Sequence, residues 1–172
     1  MEQWYAVYTK PRAEKKAAQA LVSSGIETYM PLQTTLKQWS DRKKKVEEPL
    51  FKSYLFVRIN YERDHLLVLQ QQHIVKFIRI GQDLVPVRDT IIHTIKLALQ
   101  QTDELLLIPH SLKPSQMVKV IAGPFMGLLG TIERIQGSRL VGITIEQLGT
   151  RLLLRIPAAH LEPVHALQPD VH

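Results

Sequence analysis

Short apolar runs, broken by glycine, proline and polar clusters, alternate between two periods along this 172-residue chain. Residues 4–9 (WYAVYT) are aromatic and β-branched without a breaker, which predicts a strand. Thr9 then stands where it can cap a helix with Pro11 in its first turn. Ala13, Ala17, Ala20 and Leu21 recur at helical spacing, with Lys15, Lys16 and Gln19 away from most of that stripe. Gly25 closes the helix as its C′ residue. Residues 27–30 read as a short strand ended by Pro31. Residues 34–49 are polar and read as a long hairpin or loop. Residues 54–59 (YLFVRI) carry the strongest strand signal of the chain. A helix over 62–72, begun near Asn60, buries some of Leu66, Leu67 and Leu69. Residues 74–80 form another strand, stopped by Gly81. Asp89 caps a third helix with Ile91, Ile92, Ile95 and Leu99 on its buried face.

Interleaved strands and helices, with a strand-to-strand connection after Pro31, predict one antiparallel sheet with helices packed on it, an α+β domain over residues 1–102. Residues 103–114, with Pro109 and Pro114, lack clear periodicity and are expected to be a linker. From Gln116 the pattern turns all-β, with strands over 116–122, 129–136, 139–146 and 150–156. Val118 and Val120 alternate with Lys119, and Gly123 with Pro124 stops that strand. Gly130 lets the next strand start tightly against its neighbour. The second domain is expected over 115–164, with a tail over 165–172. Leu152, Leu153 and Leu154 are locally ambiguous, whereas the β-branched richness around Val118 and Ile143 favours β.

Composition narrows the chemistry. There is no cysteine, so disulfides, thiol catalysis and Cys-ligated metals are excluded. The seven histidines are scattered, and His160 with His165 has the wrong spacing for a helical metal pair. No phosphate-cradling glycine loop is present, and Ser53 and Ser138 lack a visible base-and-orienter set. The expectation is a protein that is not an enzyme and that needs no cofactor or metal. No signal-peptide pattern opens the chain, and no run approaches the ~18 apolar residues of a membrane span, which favours a cytoplasmic protein. Residues 1–102 hold 16 Lys+Arg against 10 Asp+Glu, while 103–172 hold 6 of each, so the whole excess of +6 sits in the N-terminal part. Any attraction to nucleic-acid phosphate is expected there.

The segment VKVIAGPFMGLLGTIE over 118–133 resembles the KOW motif, the opening hairpin of a small SH3-like barrel that binds protein and RNA partners. An α+β domain, a linker and then a KOW barrel is the layout of the NusG family of transcription elongation factors. Trp4, Tyr5 and Val7 before a basic helix, and PLFKSYLFV over 49–57, resemble its N-terminal (NGN) signature. The run WSDRKKK over 39–45 is similar to specialised paralogs of the UpxY type, and the spacing of Lys10, Phe51, Tyr54 and His65 resembles RfaH. A specialised paralog, acting in elongation and antitermination as a monomer, is the expectation. A ribosome-associated, RNA-binding KOW protein is the alternative.

In the strand over 54–59, Tyr54, Phe56 and Arg58 point one way and Leu55, Val57 and Ile59 the other. The aliphatic face packs on helices. The aromatic face, with Phe51 just upstream, is either a partly exposed protein interface or a completed core. The resemblance implies that it docks on the β′ clamp helices of RNA polymerase: Phe51 and Tyr54 match contact positions, with Tyr8 and Phe56 as neighbours. Lys52 and Ser53 depart from the family's usual turn. His65 matches a residue that touches the polymerase β gate loop, although Leu66 and Leu67 replace threonines there. Lys10, Arg12, Lys16, Gln19, Gln72 and His73 form either a solvated face or, as the resemblance implies, a reader of the non-template DNA strand. The basic run 42–45 is either a solvated hairpin tip or a contact with upstream DNA. In the barrel, Phe125, Leu128 and Leu148 are apolar residues at turns. The resemblance assigns them to a small-subunit ribosomal protein or to termination factor Rho, while barrel-end packing is the plain reading.

Overall fold

The computed structural model describes residues 1–110 and 116–165. The chain divides into two compact units, Met1–Leu105 together with Glu146–Leu148, and a second unit from Leu106 onward. The expected linker is therefore shorter than its composition suggests. Asp103 accepts a hydrogen bond from the Thr34 amide (2.9 Å) and Leu105 is buried, so this end belongs to the first unit. Leu106–Pro109 forms a strand of the second unit, and residues 111–115 lie outside the described set, as do residues 166–172 of the expected tail.

The first unit runs β1 (Gln3–Thr9), α1 (Glu14–Ser23), β2 (Glu27–Tyr29), β3 (Leu32–Gln38), β4 (Lys43–Pro49), β5 (Tyr54–Ile59), α2 (Tyr61–Leu69), β6 (Ile74–Phe77) and α3 (Asp89–Gln101). Four strands form an antiparallel sheet in the order β2-β5-β1-β6, and β3 with β4 makes a separate two-stranded ribbon. One sheet face, with Tyr5, Val7, Leu55, Val57, Ile59 and Phe77, packs with Ala17 and Leu21 of α1 and Val68 of α2. Full burial of a Leu or Val side chain contributes about 1.5–3 kcal/mol, so this cluster is the main adhesive of the unit. The opposite face carries α3, whose Lys96 Nζ stands 4.9 Å from the Tyr29 ring and 5.7 Å from the Trp4 ring.

Helix ends differ from expectation in informative ways. Helix α1 begins at Glu14 with Ala13 at its N-cap, so it has no side-chain cap; Thr9 lies four residues too early, and its hydroxyl donates to the Lys10 carbonyl. Its other end follows the pattern: Gly25 takes φ 80°, and the Ile26 and Gly25 amides reach back to Leu21 and Val22, satisfying two orphan carbonyls. Asn60 does cap α2 by accepting from the Arg63 amide. Asp89 is the first residue of α3, not its cap. Only Val68 of α2 is buried, whereas Leu66, Leu67 and Leu69 remain exposed. Nine residues give α2 only a narrow buried stripe, and its Leu-rich side faces outward.

The second unit is one antiparallel sheet built from β7 (Leu106–Pro109), β8 (Met117–Val120), β9 (Leu129–Ile135), β10 (Ser138–Ile145), β11 (Thr150–Leu154) and β12 (Leu161–Pro163). Their order is β12-β8-β9-β10-β11-β7. Val118, Val120, Val141, Ile143, Ile145 and Leu152 are buried, so the ambiguous leucines resolve to strand. Gly142 leaves a slot through which Glu133 and Arg151 form an ion pair, with the Thr131 hydroxyl also donating to Glu133 (3.1 Å).

Gly130 sits against β10 with no room for a side chain. A Cβ there would lie 2.6 Å from Val141 Cγ1 and 2.9 Å from the Gly142 carbonyl oxygen. Gly130→Ala is expected to destabilise the second unit by about 1–3 kcal/mol. Hydrogen exchange at the Ile132 and Val141 amides should accelerate correspondingly, with the first-unit amides unaffected.

Candidate functional site

Cross-strand register organises the α3-side face of the sheet into three rows. Tyr54 lies opposite Tyr8 and Tyr8 opposite Lys76; Phe56 lies opposite Ala6 and also Tyr29; Arg58 lies opposite Trp4 and Glu27. Burial grades across these rows. Trp4 is 4% exposed, Phe56 0% and Phe51 4%, so these rings are interior. Phe51 meets Phe56 edge-on at 5.9 Å, and Phe56 stacks with Tyr29 at 6.3 Å. The expectation that Phe51 and Phe56 sit on an accessible face is therefore corrected: they are the floor beneath it. Tyr8 and Tyr54 remain half-exposed, with ring centroids 5.5 Å apart, and Lys76 is exposed beside them. An edge-to-face pair at the margin of a buried cluster is an arrangement that tyrosine's amphipathic ring favours. Lys76 was missed by sequence reasoning because the β1–β6 register was not legible.

The turn that presents Tyr54 is held from three sides. The Tyr54 amide donates weakly to the Phe51 carbonyl (3.4 Å), and the Thr9 amide donates to the Ser53 carbonyl (2.8 Å). Glu14, buried at the start of α1, accepts from the Ser53 amide at 2.8 Å. Ser53 takes φ 65°, so the left-handed position is kept although a serine fills it.

The polar residues expected to act together are partly gathered. The Lys10 amide donates to the His73 carbonyl (2.9 Å), and the Ser24 hydroxyl donates to Gln71 Oε1 (3.0 Å), which ties the end of α1 to the end of α2. Arg12 and His73 both take left-handed backbone, φ 60° and 74°. Non-glycine residues there cost about 1–3 kcal/mol each unless the surroundings hold them. Lys10, Arg12, Lys16, Gln19 and Gln72 are exposed and His73 is half-buried. His65 lies in the middle of α2. Its Nδ1 is 2.8 Å from the Tyr61 carbonyl and its ring stacks on Tyr61 at 4.9 Å. Phe125 and Leu128 are half-buried in the turn between β8 and β9, where the unpredicted Met126 is 70% exposed. Leu148 falls in the short Glu146–Leu148 turn that groups with the first unit.

The family described as "Transcription termination factor nusG" matches residues 2–96, and the KOW motif matches residues 114–146. The chain belongs to the NusG family, a family of non-enzymatic transcription factors. Among solved structures, the Thermotoga maritima NusG of "Domain interaction in Thermotoga maritima NusG" is similar with a TM-score of 0.52 and 24% identity, covering 96% of this chain and 98% of that one. Two conformations of the MjSpt4:Spt5 complex, B and A, align at 15% identity with TM-scores of 0.35 and 0.30. These alignments cover 96% and 94% of this chain, and 99% and 97% of theirs. No helix among the described residues is long and apolar enough to cross a membrane.

Two outcomes follow from the site. Glu14→Ala leaves the Ser53 amide without its acceptor and is expected to cost about 1–3 kcal/mol in urea unfolding, with faster exchange of that amide. Burial pushes the Tyr29 phenol up to about 12 from an ordinary 10.0. The unfolded chain then releases this proton at lower pH than the folded one. Stability from Tyr29 is fully present below pH 10 and is lost as pH rises toward 12. Melting curves of Tyr29→Phe should fall less steeply across that alkaline window than those of the parent.

Proposed function

We propose that the first unit grips RNA polymerase at the β′ clamp helices through Tyr8 and Tyr54, over a floor of Phe51 and Phe56, and so disfavours pausing. The observation that carries this reading is the half-buried, edge-to-face Tyr8–Tyr54 pair at the margin of a sheet face on which Trp4, Phe51 and Phe56 are buried and Tyr29 is half-buried beneath Lys96. Rigid aromatic rings with few rotamers to freeze are the usual centre of a binding hot spot. Lys76 at the margin supplies a long cation for an acidic helix surface. Holding the clamp accelerates elongation only if the chain binds the active conformation better than the paused one.

The Lys10, Arg12, Lys16, Gln19, Gln72 and His73 surface is assigned to the non-template DNA strand exposed in the transcribing complex. Long cations attract phosphate, while Gln and His can bond to base edges. His65, stacked on Tyr61, is assigned to the polymerase β gate loop, with the exposed Leu66 and Leu67 as apolar neighbours. The KOW unit recruits a small-subunit ribosomal protein or Rho through Phe125 and Leu128, with Leu148 a separate contact. Antitermination in the cytoplasm is the biological setting of this reading.

Tyr8→Ala with Tyr54→Ala is expected to weaken capture of purified polymerase about tenfold or more, and to lengthen pauses in reconstituted transcription, without lowering the melting temperature appreciably. Phe51→Ala is expected to act differently, costing about 3–5 kcal/mol of fold stability because the ring is interior. Undiminished capture by the folded tyrosine double variant would remove the assignment.

A further inference from the structure

The β3–β4 ribbon has no part in the aromatic rim or the Lys10–His73 surface, yet it carries the densest charge of the chain. Every residue from Leu36 to Lys45 is exposed. Five of these ten are cations, Lys37, Arg42, Lys43, Lys44 and Lys45, against the single carboxylate of Asp41. Lys37 alone is neutralised, by Glu48 at 2.7 Å. The other four have no ion pair among the described residues. Register sets Lys37 directly opposite Lys44, a like-charge pair that weakens an isolated ribbon.

At the tip stands Trp39, 54% exposed, its amide donating to the Arg42 carbonyl at 2.7 Å. Lys44 Nζ lies 5.7 Å from its ring centroid, so an ammonium and a free indole surface are presented together. Beyond its contact with Lys44, a large ring more than half in water at the end of a charged ribbon adds nothing to the buried core. The ribbon also offers too little contiguous apolar surface for a protein interface core.

We infer that the ribbon tip is a binding site for single-stranded nucleic acid, in which Trp39 stacks on an unpaired base and Lys43, Lys44, Lys45 and Arg42 hold the flanking phosphates. Stacking on an aromatic platform within a cationic groove is how proteins hold single strands without reading their sequence. Lys44 shares the side of the Trp39 ring, while Lys43 and Lys45 alternate to the other side of a ribbon only two strands wide, about 6.8 Å apart along it, so cations flank the platform from both sides. A bound polyanion also relieves the repulsion between Lys37 and Lys44. This inference does not depend on the polymerase assignment, since neither Tyr8 nor Tyr54 takes part.

The chain reports on the site itself. It has two tryptophans, and Trp4 is only 4% exposed, so quenchable emission comes from Trp39. Titration of the full chain with a short oligothymidylate is expected to quench that emission saturably. Trp39→Leu should weaken binding, followed by fluorescence anisotropy of a labelled oligomer, by about 5- to 150-fold, the range for one stacked base. Trp39→Phe should retain most of it. Replacing Lys43, Lys44 and Lys45 by Gln should lower the slope of log affinity against log salt by about 2, at ~0.7 per phosphate contact. Lys119→Gln with Arg139→Gln, two exposed cations outside every surface assigned above, should leave the Trp39 quenching in place. Absence of quenching, equal quenching by polyglutamate, or stronger binding of a blunt duplex would each overturn the inference. Matching far-UV spectra and melting curves ensure that a loss is read from folded protein.

Discussion

The pairing of β1 with β5 is the constraint from which the first unit follows. Antiparallel register puts Tyr8 opposite Tyr54 and Ala6 opposite Phe56, and a slip of one residue would send these rings to the face that packs on α1 and α2. That face has no space for them, because Leu21, Leu55, Val57 and Val68 there are fully buried. Register is therefore enforced by the aliphatic side, and the aromatic side inherits its order. The small Ala6 sits between larger rings and lets Phe56 settle fully into the interior. The tyrosines one row further along are left at the rim.

The same row is pinned at its end by groups from three parts of the chain. Glu14 comes from α1, Thr9 from β1 and Ser53 from the turn before β5. A carboxylate accepting a backbone amide in a buried place is stronger than a neutral pair and costs heavily if left unmade. The clamp explains why Ser53 tolerates left-handed backbone that glycine would adopt without strain. On the proposed reading the rim gains from such support, since a mobile turn would lose entropy on every binding event.

Periodicity made much of this legible. The alternation over 54–59 gave the strand with its bounds, and the all-β character after Gln116 gave four strands to within a few residues. Patterns missed β7 and β12, which are three or four residues long and owe their pairing to partners remote in sequence. Alternation also told which side Phe56 faces but not how deep it lies, because α3 covers that side and nothing local encodes the coverage. One signal was available: Phe has no polar atom to keep near water, whereas Tyr has one. On that basis Tyr8 and Tyr54 belong at the rim and Phe51 and Phe56 beneath it. In α2 the error ran the other way, since three leucines suggested burial, but a short helix packs only the narrow stripe led by Val68.

The tyrosine rim and most of the cations of the first unit lie on different elements. The Tyr8–Tyr54 rim lies on a rigid sheet, where shape can decide a partner. The cations gather on the ribbon tip and on the turns around Lys10 and His73, where backbone is strained or projecting. Long-range attraction tolerates imprecise placement, because Coulomb energy changes slowly over a few ångströms in water and is screened over about 8–10 Å. Contact between rings does not, because dispersion falls away within an ångström. A fold that assigns its precise contacts to the sheet and its steering charges to the loops separates encounter from recognition. On the proposed reading, the excess of +6 speeds approach to a polyanionic complex while the sheet face determines what is held.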